Sequence, residues 1–60
     1  MDMTGIHDYA RRFLSAHGEL AEFEAAQRAA ECDRLHDRAQ ARDWRRIQAA
    51  IREMRGPYVS

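Results

Sequence analysis

The stretch Asp37–Gly56, DRAQARDWRRIQAAIREMRG, carries a start signal and a stop signal for a helix, with one apolar stripe between them. Asp37 has a side-chain oxygen suited to the N-cap, and Gln40 three residues later completes a capping-box pattern. Gly56 followed by Pro57 supplies the stop. Trp44, Ile47, Ile51 and Met54 fall within roughly 80° of helix surface at 100° per residue. Arg38, Arg42, Arg45 and Arg52 occupy the opposite arc. The spacing therefore predicts an amphipathic helix over about 38–55, followed by a short tail, 56–60.

Upstream, residues 19–35 read as a second helix. Glu19 and Glu22 lie in its first turn, where the helix dipole favours acids. This segment has two packing faces. Leu20, Phe23, Ala26 and Ala30 line one; Ala21, Ala25, Ala29, Cys32 and His36 line the other. Two such faces place helix 2 between two other helices, at least one of them from its own chain. With only one or two residues before the third helix, the pair is expected to be an antiparallel hairpin. Charge agrees with this pairing. Residues 19–37 hold six acids against Arg28 and Arg34, and residues 38–55 hold six arginines against Asp43 and Glu53.

A first helix is expected over about 5–17, with Thr4 as N-cap and Gly18 in the left-handed position after its end. Ile6, Tyr9, Ala10, Phe13, Leu14 and His17 share one face of it. The sequence thus reads as all-α: three short helices in one small domain, 1–60, with helix 1 packed across the hairpin of helices 2 and 3. A chain of 60 residues buries only about 60% of the surface that its unfolded form exposes, less than larger domains do. Small scaffolds close that gap with disulfides, a metal or oligomerisation. Cys32 is the sole cysteine and excludes an internal disulfide, so dimerisation is expected to complete the fold.

Composition narrows the function classes. One cysteine fits a reducing compartment, the N-terminal stretch has no apolar signal-peptide core, and no apolar run is long enough for a membrane helix. The expectation is a cytoplasmic protein without a membrane partner. Formal net charge is zero, so no global field draws in nucleic acid. Thr4, Ser15 and Ser60 are poorly placed as nucleophiles, and the three glycines, Gly5, Gly18 and Gly56, build no phosphate loop. No enzyme and no cofactor are expected. Cys32 and His36, four apart on a helix, are the only metal candidates, as half of a Cys2His2 zinc site shared by two chains. The alternative for them is a small buried thiol and a histidine near a helix C-terminus, and that reading is preferred. His17, in the apolar stripe, reads as a packed histidine at a helix end.

Nucleic-acid binding is the alternative function, through the cluster Arg38, Arg42, Arg45, Arg46 and Arg52. Helix-turn-helix geometry is disfavoured, because helix 2 would be the recognition helix and is acidic. The preferred expectation is a protein-interaction module, a regulator or inhibitor that docks on a larger protein, on itself, or both. Tyr9, Phe13, Trp44, Ile47, Ile51 and Met54 are its expected contact residues, and Arg38, Arg42, Arg45, Arg46 and Arg52 its electrostatic guides.

Tyr9-Ala10-Arg11, His17-Gly18, Arg28-Ala29, Trp44-Arg45-Arg46-Ile47 and Ala50-Ile51 together resemble a pattern in short uncharacterised helical proteins of alphaproteobacteria, over about residues 9–54. Gly-Asp often joins the second and third helices in that group, where this chain has His36-Asp37. The resemblance implies the helical layout and carries no activity with it.

Overall fold

The computed structural model describes residues 3–56, and among these every regular element is helical. Helix α1 is Met3–His17, α2 is Ala21–Arg34 and α3 is Arg38–Met54; a 3-10 turn, Gly18–Leu20, joins α1 to α2. The chain is all-α. α1 and α2 form one long helical segment bent at the turn, and α3 folds back along it.

Each boundary has a local cause. Gly18 stands at φ +63°, the left-handed conformation expected after helix 1, with open space around its Cα. α1 begins at Met3, so Thr4 lies in its first turn and does not precede it. At the other end of α2 the chain closes a Schellman motif: Asp37 N–H donates to Cys32 O at 2.8 Å and His36 N–H to Asp33 O at 3.0 Å. His36 takes the left-handed position at φ 62°, which glycine would adopt without steric cost. Asp37 caps α3, accepting from Gln40 N–H through Oδ1 at 3.1 Å. The reciprocal arm of the expected capping box is absent, because Asp37 N–H is already committed to Cys32 O. Gly56, at φ +79°, donates to Glu53 O and ends α3 as expected. The expected tail beyond Gly56 lies outside the described residues.

α3 is the element on which both others rest. It runs beside α2 over most of their lengths and also receives α1, whereas α1 and α2 touch only sparingly. Ile6, Ala10 and Phe13 of α1, Ala21 and Ala25 of α2, and Ile47, Ala50 and Ile51 of α3 form one buried cluster, with Leu14, Trp44 and Met54 half-buried against it. Ala29 and Ala41 are also buried. The α2 side of this core is entirely alanine, which lets the two helices approach closely. Of the two helices expected to flank α2, the chain supplies one, α3.

Ion pairs fix the hairpin at both ends. Arg45 pairs with Asp33 near the turn. At the open end Arg52 Nε donates to Glu22 Oε1 at 3.0 Å, with Arg55 Nη1 3.7 Å from Glu22 Oε2. Acids of α2 thus meet arginines of α3 in antiparallel order, as the charge pattern predicts.

The turn between α2 and α3 yields a prediction. His36→Gly relieves the left-handed strain and should stabilise the fold by about 0.5–1 kcal/mol, while Asp37→Ala removes the cap and should cost about 1 kcal/mol. Urea titrations should show both as shifted midpoints at an unchanged slope.

Candidate interaction surfaces

The large apolar side chains divide into an inner and an outer set. Ile6, Phe13, Ile47 and Ile51 are buried, and Leu14, Trp44 and Met54 are half-buried. Leu35, Leu20, Phe23 and Tyr9 remain exposed, at 68%, 60%, 59% and 41% of their surface. Three of these four belong to α2 and its flanking turns. Burial of Ala21, Ala25 and Ala29 on α3 turns the opposite side of α2 outward, so that Leu20, Phe23, Gln27, Ala30, Glu31 and Arg34 share the open face. Leu35, at the helix C-cap, lies at the edge of this face. Arg34 pairs with Glu31 there.

A second surface surrounds the aromatic residues. Phe13 and Tyr9 stack with centroids 6.2 Å apart, and both meet Trp44 edge-on, at 5.4 and 5.8 Å. His17 stacks on Phe13 at 4.0 Å and turns Nδ1 toward the Glu24 carboxylate. Arg28, reaching from α2, places its guanidinium 5.8 Å from the Phe13 ring centre and 5.3 Å from that of Trp44, so one cation joins all three helices. A shallow notch beside this cluster is lined by Tyr9, Gln40, Asp43, Trp44 and Ile47.

Of the expected contact residues, Ile47, Ile51 and Phe13 are therefore covered by the chain's own helices, and Trp44 and Met54 are partly covered; Tyr9 alone is exposed, with less than half of its surface open. Leu20, Phe23 and Leu35 form the outward set. That Leu20 and Phe23 share one face of helix 2 is visible in the sequence, but which of its two faces points inward is not.

The arginines also divide. Arg45 and Arg52 are engaged with Asp33 and Glu22. Arg38, Arg42 and Arg46 stand one turn apart along α3, exposed, and among the described residues no acid lies in ion-pair range of them. With Asp33, Arg45 and Ala49 they line a shallow trough.

Cys32 and His36 do not share a helix face. α2 ends at Arg34, His36 sits exposed in the left-handed turn, and the half-buried Cys32 has its Sγ 4.0 Å from Gln40 Oε1. Among the described residues no group of three or more His, Cys, Asp or Glu side chains is placed to hold a metal ion. No described helix is long and apolar enough to cross a membrane. No family model, curated protein or solved structure matches this chain.

The inner and outer sets should respond differently to substitution. Ile51→Ala should cost about 2–4 kcal/mol, enough to unfold much of so small a protein. Leu20→Ser and Phe23→Ser should each change stability by no more than about 0.5 kcal/mol. Thermal melts of dilute protein followed by circular dichroism would separate the two classes.

Proposed function

We propose that the chain is a small helical protein-binding module, a regulator or inhibitor that docks through the outer face of α2. The observation that carries the reading is the exposure of Leu20 and Phe23 side by side on a helix whose other face is closed against α3. Bulky apolar neighbours on an open helix face are ready anchors for a partner groove or helix. The surrounding Gln27, Glu31 and Arg34 supply a polar rim that orients the partner. Function of this kind is surface occlusion or bridging.

A photo-reactive phenylalanine analogue at Phe23, in cells carrying the full chain, tests the reading. Discrete protein adducts are expected there and not from the same analogue at Arg12, an exposed polar position. No adduct at Phe23, or an equal pattern from both positions, would overturn it.

One observation favours a second reading. No acid lies in ion-pair range of the row Arg38, Arg42 and Arg46 among the described residues, the nearby Asp33 being paired with Arg45, and the row's mutual repulsion would be relieved by phosphates. If this row binds nucleic acid, affinity for a random duplex should fall with log salt at a slope of about −2 to −3, one phosphate per arginine. Each Arg→Gln change should reduce that slope by about 1. Anisotropy titrations at two salt concentrations read both effects, and no binding at low salt removes the reading.

A further inference from the structure

We infer that the outer face of α2 pairs with the same face of a second copy of this chain, antiparallel, about a two-fold axis beside Gln27. This rests on the protein-binding reading of that face and names its partner. The argument is the order of residues along the helix. At its N-terminal end the face carries the bulky Leu20 and Phe23, with the acid Glu19 in the turn beside them; at its C-terminal end it carries the small Ala30, the pair Glu31 and Arg34, and Leu35 at its edge. Bulk at Phe23 is thus matched by a small residue at Ala30, about equally far from Gln27 on the other side.

A two-fold axis at Gln27 joins these ends. Phe23 then lies across from the second copy's Ala30, where the short side chain leaves room for the ring. Leu20 lies against the stem of the second copy's Arg34 and close to its Leu35. Glu19, which has no cation in ion-pair range among the described residues, comes within reach of the same Arg34 guanidinium, which Glu31 of its own chain already holds and which can be shared between the two acids. The two Gln27 amides meet at the axis and can exchange hydrogen bonds. Every contact occurs twice. A parallel arrangement instead sets Phe23 on Phe23 and Glu31 on Glu31, crowding one end, leaving a gap at Ala30 and opposing like charges. The second copy thereby provides α2 with the second flanking helix that its two faces call for.

One helix face is smaller than the ~800 Å² per partner of a standard interface, so the dimer should be in exchange with monomer between about 10 µM and about 1 mM. Sedimentation equilibrium over that range should show the mass rising from one chain to two. Phe23→Glu, at an exposed position, should leave a folded monomer throughout. Glu19→Arg and Arg34→Glu should each weaken association several-fold, and the two together should restore part of the loss. In a Cys32→Ser background, Gln27→Cys should give a disulfide-linked dimer on mild oxidation, and Leu20→Cys should not. A wild-type chain that stays monomeric at the highest concentration overturns the self-pairing, as does a dimer that survives Phe23→Glu. A disulfide through Leu20→Cys in place of Gln27→Cys overturns the antiparallel register. The two levels fail separately: a monomeric chain whose Phe23 analogue still captures a different protein refutes the second copy alone, and one that captures nothing refutes the docking face as well.

Discussion

The structure depends on α3 burying its apolar side against two different helices at once. Ile47 and Ile51 lie at the centre of the cluster, and α1 and α2 both need the same strip of α3 surface. The conflict is resolved by size. α2 presents alanines at Ala21, Ala25 and Ala29 and comes in close, while α1 presents Ile6 and Phe13 and fills the remaining space. Bulky residues on the inner face of α2 would push it away and open the contact with α1. The alanine seam is therefore the condition for a three-helix core in a chain of 60 residues.

That condition determines the outer surface as well. A helix that spends its small residues inward carries its large ones on the other side, and Leu20 and Phe23 are left facing solvent. The exposed patch follows from the packing solution, and the proposed docking role rests on it. The same hairpin divides the arginines: those opposite Asp33 and Glu22 are drawn into ion pairs, and Arg38, Arg42 and Arg46, on the outer arc of α3, are left with solvent. Both candidate surfaces are residues of one geometric decision.

Local chemistry fixes the two changes of direction. Gly18 permits a left-handed residue between α1 and α2, and the Schellman closure with His36 permits one between α2 and α3. Between these turns Arg28 spans the Phe13 and Trp44 rings, so that an aromatic cluster near the surface is closed by a cation and not by another apolar residue. The indole, read from the sequence as a free anchor, is already partly engaged in this way.

Sequence periodicity and cap residues by themselves determined the three helices, their ends to within two residues, the antiparallel hairpin with its opposed charges, and the inward stripe of α3. Asp37, Gly18 and Gly56 are legible because caps and left-handed turns are made by neighbouring residues. The choice between the two faces of α2 was not legible, and with it went the separation of Ile47, Ile51 and Phe13, which the chain covers itself, from Leu20, Phe23 and Leu35, which it leaves open. Arg28 over two rings and the separation of His36 from the helix face of Cys32 were equally hidden. The reason is common to all of these: periodicity gives the direction in which a side chain leaves its own helix, whereas burial depends on which helix arrives from that direction, and only the assembled fold decides that.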